Sequence, residues 1–157
     1  MIDNILCMIR DYLWELDTIS QRPRRSEEDI RKFYDEIVSS SCTELRKIYC
    51  NDSNKTIGFL IIGFHPNCHP HANYYIEEAY IKPQYRCMGY MTRAISDFIH
   101  RHTGIYCLFI LNENIAAYRF WMNLFAKLGY CECFLIDVGA GDEYCTQYGF
   151  APSSHNE

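Results

Sequence analysis

The chain has 157 residues, a net charge of −5, and 48% hydrophobic and 15% aromatic residues. That length and apolar content fit one domain with its own core and exclude intrinsic disorder. No apolar run is long enough to span a bilayer, and no helix of this acidic chain carries a basic stripe, which disfavours nucleic-acid binding as the main task.

Ile2, Ile5, Leu6, Ile9, Leu13 and Leu16 recur at helical spacing, so residues 3–18 are predicted to form an amphipathic helix. Gln21–Arg25 breaks it, and its Arg22, Arg24 and Arg25 are read as a solvated loop, or as a lip of an acceptor site. Ser26 is placed to cap a second helix, with Asp29 as its reciprocal partner. Ile30, Phe33 and Ile37 form that helix's buried face.

A polar loop, Ser39–Thr43, leads to a predicted strand at Glu44–Cys50 and a turn at Asn51–Asn54. Thr56–Phe64 is apolar on both faces and so reads as a central strand. Tyr74–Lys82 is the third strand of an antiparallel meander. Helix Gly89–His102, strand Ile105–Leu111 and helix Ile115–Leu128 follow, with Gly129 ending the last helix. Tyr130–Val138 and Glu143–Phe150 are expected to pair as strands across a turn at Gly139–Asp142.

The order ααβββαβαβ(β) predicts an α/β fold with a mixed sheet covered by helices, as one domain over residues 1–150 with a tail at 151–157. No strand precedes the first helix, so one sheet edge awaits cover by the C-terminal hairpin or by a second copy in a homodimer. Nine scattered cysteines with no CxxC spacing read as reduced thiols. Acidic Asp3 stands where a signal peptide would be basic, so a cytoplasmic location is expected.

Two turns carry residue types that suit a phosphate-bearing ligand. Arg86-Cys87-Met88-Gly89-Tyr90-Met91-Thr92 joins a strand end to a helix start, where backbone N–H groups and the helix dipole favour an anion. Gly89 permits close approach, Arg86 adds charge and Thr92 offers a hydroxyl. Asn114 opens the second strand–helix junction. Glu77 and Glu78 lie in an otherwise apolar strand, and simple alternation sends them to opposite faces. Burial of one carboxylate would raise its pKa toward a value useful to a general base. His65, Cys68, His69 and His71 crowd seven residues, but their spacing fits no established zinc pattern. That segment reads as a polar hairpin loop bordering an acceptor cleft, and no metal is expected.

Ile81, Pro83, Arg86 and Gly89 resemble the cofactor-binding segment of the GNAT superfamily of acyl-CoA-dependent N-acyltransferases. Asn114, Ala117, Phe120 and Trp121, followed by Lys127-Leu128-Gly129-Tyr130, are similar to that family's second conserved element. The resemblance covers roughly Lys55 to Val138 and implies a GNAT-like fold binding acetyl-CoA where the third strand splays from the fourth. It implies that Ala79, Tyr80 and Ile81 pair with the pantetheine arm and that Cys87 to Thr92 hold the pyrophosphate. Asn114, Ala117 and Trp121 would line the arm. Glu77 stands where the family often carries its base, leaving Glu78 to bind substrate or to face solvent.

Two positions depart from the family pattern in the turn, and one on the last helix. Cys87 and Met91 are bulkier than the small residues usual there. Trp121 replaces the tyrosine that often protonates the departing thiolate. At about 100° per residue, Tyr118 lies about 40° from Asn114 and Trp121 within about 20° of it. Tyr118 is therefore the candidate acid, against an ordinary flank tyrosine or proton uptake from water.

The implied activity is transfer of an acetyl group from acetyl-CoA to a primary amine, with a small cationic amine or polyamine suggested by the paired glutamates. Peptide amines remain open as acceptors, and so does a catalytically weak acyl-CoA-binding regulatory module.

Overall fold

The computed structural model describes residues 4–135 and 143–154. Helix α1 runs Asn4–Ile19 and buries Ile5, Met8, Ile9 and Leu13, a stripe spaced to face a sheet. Helix α2, Glu27–Ser39, begins with the capping box read from Ser26 and Asp29: the Asp29 N–H donates to Ser26 Oγ at 3.1 Å, and the Ser26 N–H donates back to Asp29 Oδ2. Between the helices, Arg25 donates to Asp17 from both its backbone N–H (2.9 Å) and its Nε (3.0 Å), which offsets the cost of burying that carboxylate.

Strands β1 (Thr43–Tyr49), β2 (Thr56–Gly63) and β3 (Tyr74–Ile81) form the antiparallel meander. A short 3-10 turn at Pro83–Tyr85 precedes α3, Tyr90–Arg101. Then come β4 (Tyr106–Leu111), α4 (Ile115–Lys127), β5 (Tyr130–Cys133) and β6 (Cys145–Pro152). The six strands lie in the order β1-β2-β3-β4-β6-β5, parallel only between β3 and β4. This is the mixed sheet expected from the element order, with β2 buried along nearly its whole length.

The helices divide between the two faces. Ile9, Leu13, Ile30 and Ile37 pack on Phe59, Ile61 and Tyr80 on one side. Phe98, Trp121 and Phe125 pack on Leu60, Ile62 and Ile76 on the other. Phe125 also stacks flat on Phe150 at 4.0 Å, which fastens α4 to the last strand.

The C-terminal end departs from the sequence reading. The strand does not stop at Phe150: Ala151 and Pro152 pair with Cys131 and Tyr130, and the Ser153 N–H donates to the Gly129 carbonyl at 2.9 Å. Ala151 and Pro152 are thus part of the sheet, because β5 still pairs with them after the β4 ladder has ended at Phe150. Strand β5 ends at Cys133 rather than Val138, and the turn read at Gly139–Asp142 lies outside the described residues. The hairpin covers the β4 edge and leaves β1 and β5 as the sheet's outer strands.

Candidate active site

The β3–β4 ladder holds three pairs, Tyr74↔Tyr106, Tyr75↔Cys107 and Ile76↔Leu108. Past Ile76 the strands diverge, while Ala79, Tyr80 and Ile81 stay paired to β2 on their other edge. The bare edge of β3 opens on a cleft of about 520 Å³, walled by α1, the turn before α3 and the start of α4. An unpaired strand edge is a template for an extended ligand arm that supplies its own amides.

The turn forms the cleft's far end. Cys87 (φ 60°) and Gly89 (φ 81°) both take left-handed conformations, which fold the chain into the helix start. The first intrahelical bond runs from the Arg93 N–H to the Gly89 carbonyl at 3.0 Å, so the N–H groups of Tyr90, Met91 and Thr92 precede it. No acidic side chain stands in the first turn to compete for an anion. Ala79, Tyr80, Ile81, Arg86, Cys87, Gly89, Tyr90, Met91 and Thr92 all line the cleft. Met88 does not: it points outward and is 60% exposed.

Arg86 is more committed than its sequence position implied. Its Nε donates to the Ile81 carbonyl at 2.8 Å, and its two terminal nitrogens donate to Glu15 of α1 at 2.8 and 2.6 Å. Much of the cation's work is therefore to tie α1 to the turn.

On α4, the Asn114 side-chain oxygen caps the helix by accepting the Ala117 N–H at 3.1 Å. Its amide nitrogen is left to meet a ligand. Asn114, Ala117 and Trp121 line the cleft, and Trp121 is buried against Phe120 and Phe125. Tyr118 stands apart from these three. It is 42% exposed, its ring meets Tyr148 at 5.6 Å, and it lines neither the cleft nor the two cavities beside it, so the structure does not bring it to the cleft. The 40° that separates it from Asn114 is enough to turn it toward β6.

The two glutamates differ most from expectation. Ile61 pairs with Glu78 but Ile62 with Ile76, so Glu77 is an extra residue in the strand. This β-bulge breaks the alternation and sends both carboxylates to the α1/α2 face rather than to opposite faces. Glu78 accepts a short hydrogen bond from the Tyr12 hydroxyl of α1. Burial pushes its carboxyl up to about 7, against the opposing pull of Tyr12 and Arg25.

Glu77 accepts from Thr43 Oγ1 at 3.2 Å, and burial raises its pKa too, with Thr43 opposing. Asn67 steadies that contact by donating to Thr43 Oγ1 at 3.3 Å and Ser40 Oγ at 3.2 Å. Gly63 makes the arrangement possible, because a Cβ there would lie 2.5 Å from Glu77 Oε1 and 2.3 Å from the Asn67 carbonyl.

Glu77 lines a second cavity, of about 450 Å³, between α2, the first half of β3 and the loop Pro66–Pro70. The histidine loop thus borders a cavity at Glu77. His69 is buried and its Nδ1 accepts the His71 N–H at 3.0 Å. Among the described residues no group of three or more His, Cys, Asp or Glu is placed to hold a metal ion. The arginines of the α1–α2 loop are structural: Arg22 stacks on Tyr144, Arg24 on Trp14, and Arg25 holds Asp17. Tyr12, Glu15, Thr43 and Asn67 had no sequence signal as site residues, because each meets its partner 24 or more positions away.

The model of the acetyltransferase (GNAT) family matches residues 8–130. By sequence, no curated protein matches the chain. Among solved structures, an acetyltransferase from Thermus thermophilus is similar with a TM-score of 0.65 and 13% identity, over 92% of this chain and 88% of that one. A spermidine N-acetyltransferase from Vibrio cholerae, in complex with CoA and spermine, gives 0.61 and 14% over 96% and 90%. A Bacillus anthracis protein assigned as a streptothricin acetyltransferase, in complex with acetyl coenzyme A, gives 0.51 and 21% over 76% and 68%. No helix among the described residues is long and apolar enough to cross a membrane. With its family match spanning most of the chain and its splayed β3–β4 cleft, the protein belongs to the GNAT family of acetyltransferases, whose acyl donor is acetyl-CoA.

Proposed function

We propose that this acetyltransferase acts on a primary amine, which meets the acetyl group at the β3 bulge. The observation that carries the reading is the bulge itself, which turns Glu77 into the second cavity while the next residues, Ala79–Ile81, keep a bare edge toward the cofactor cleft. The pantetheine arm of acetyl-CoA lies along that edge. Its pyrophosphate is held by the N–H groups of the 87–92 turn, and Asn114 Nδ2 and Trp121 flank the arm.

An amine enters as an ammonium ion and sheds one proton to solvent; as its nitrogen attacks, Glu77 takes the second, directly or through water, leaving the amide N–H. A half-buried carboxylate with a raised pKa is a better base than an ordinary surface glutamate. The C–N bond then forms as the C–S bond breaks. The thiolate takes its proton from solvent, since Trp121 has no acid to give and Tyr118 is turned away. Glu78, held by Tyr12, keeps α1 against the bulge and is a positioning residue.

Thiol release from acetyl-CoA across a panel of primary amines, with mass spectrometry of the product, tests the reading. Release coupled to an N-acetyl product supports it. Tight CoA binding with no turnover on any amine would instead favour a regulatory acyl-CoA-binding module.

A further inference from the structure

We propose that the acceptor is a primary amine attached to an apolar, ring-sized body and carrying no anionic group, bound in the cavity between α2 and the β3 bulge. The proposal rests on the amine-acceptor reading above and narrows it. Phe33 and Ile37 of α2, Tyr75 of β3 and Phe109 of β4 line the cavity together with Glu77. Tyr75 and Phe109 meet edge-on at 5.8 Å, an aromatic wall on the sheet side. A cavity of about 450 Å³ exceeds the roughly 150 Å³ that holds a benzene ring, so a ring with a short alkyl linker fits.

Charge narrows the class further. No lysine or arginine is among the residues lining the cavity, so a carboxylate or phosphate on the acceptor would meet the side chains of Ser40, Thr43, Asn67, His69 and Gln147 but no fixed cation, while lying beside the Glu77 carboxylate. This disfavours free amino acids. A polyamine needs a carboxylate for each further ammonium. Glu78 lies outside the lining, bonded to Tyr12, and of the two acidic residues that do line the cavity Glu77 must accept a proton during transfer. Glu36, the other, is exposed on α2, where water weakens its hold on a cation.

The test measures thiol release by the full chain at saturating acetyl-CoA. Phenethylamine is compared with putrescine, spermidine and phenylalanine. The proposal expects kcat/KM for phenethylamine about tenfold or more above the polyamines, from apolar contacts, and still further above phenylalanine, which adds only a carboxylate. Phe33→Ala should raise the phenethylamine KM about tenfold with the acetyl-CoA Kd unchanged, a readout that a misfolded variant would not give.

Polyamines turned over as well as phenethylamine, or phenylalanine accepted equally, would overturn the proposal while leaving amine acetylation intact. If no amine is turned over, the parent reading fails. Calorimetric titration of phenethylamine into the CoA-loaded protein then decides the cavity: saturable binding lost in Phe33→Ala supports it, and no binding overturns it.

Discussion

Tyr12 of α1, which lines the cleft along β3, donates its hydroxyl hydrogen to Glu78 of β3, joining residues 66 positions apart. Burial holds the phenol protonated and at the same time lifts Glu78 to about 7. Between the ordinary carboxylate value of 4.5 and about 7, the folded chain therefore binds a proton that the unfolded chain has lost. The stability contributed by protonated Glu78 is full below that window and lost as pH rises through it, by at most about 3 kcal/mol. Urea unfolding at pH 5 and pH 8 should show the loss, and Glu78→Gln should flatten the Glu78 part of it. Tyr12→Phe removes a bond to the ionised form, so it should move the upper end of the window to higher pH.

On the proposed binding mode, the Glu15–Arg86 pair would limit cofactor affinity. An Arg86 fork already engaged by a carboxylate has less charge to offer a pyrophosphate. Glu15→Gln keeps the side-chain shape and frees that charge, so acetyl-CoA should bind a few-fold more tightly by calorimetry, with the gain fading in high salt. Arg86→Ala should weaken binding, through lost charge and through the loss of its bond to the Ile81 carbonyl.

Cys87 and Gly89 make a matched pair of backbone tests. Cys87 holds φ 60°, a conformation that costs an L-residue about 1–2 kcal/mol. Cys87→Gly removes that cost and loses some in unfolded-chain entropy, so thermal stability should rise by about 0.5–1 kcal/mol. Gly89→Ala meets no atom within 4 Å but takes on the strain of φ 81°, and should lose about 1 kcal/mol or more.

Gly63→Ala should act at a distance from the cofactor. Its Cβ would strike the Asn67 carbonyl and Glu77 Oε1, so either β2 or the Glu77 carboxylate must move. The expected result is a drop in kcat of about 10²-fold, the scale seen for small misplacements of reacting groups, with the acetyl-CoA Kd close to that of the unchanged chain. Loss of acetyl-CoA binding as well would show that the whole sheet, rather than the base, had shifted.

Much of this site is legible in the sequence because it is local. The Ser26 capping box, the helix start after Gly89 and the Asn114 cap each depend on neighbours within four residues. The buried run Ile57–Gly63 announces a central strand by its lack of a polar face. What escapes is set by register or by distant contacts. One extra residue at Glu77 leaves hydrophobic alternation nearly unchanged, yet it turns two carboxylates onto one face. Glu15 lies 71 residues from Arg86, and nothing in either neighbourhood marks the pair. Tyr118 shows the converse error: a helical angle places a residue near a face, but packing against Tyr148 decides where its ring goes.

The central claim is that Glu77 accepts the proton of the attacking amine at the bulge. The most direct measurement is the pH–rate profile of thiol release for the unchanged chain and for Glu77→Gln, with acetyl-CoA affinity measured alongside. The unchanged chain should lose kcat/KM at low pH along a limb set above 4.5, because burial raises the Glu77 pKa. Glu77→Gln should bind acetyl-CoA normally, lose that limb, and react about 10²-fold or more slowly. A variant that keeps both the rate and the limb would contradict the account.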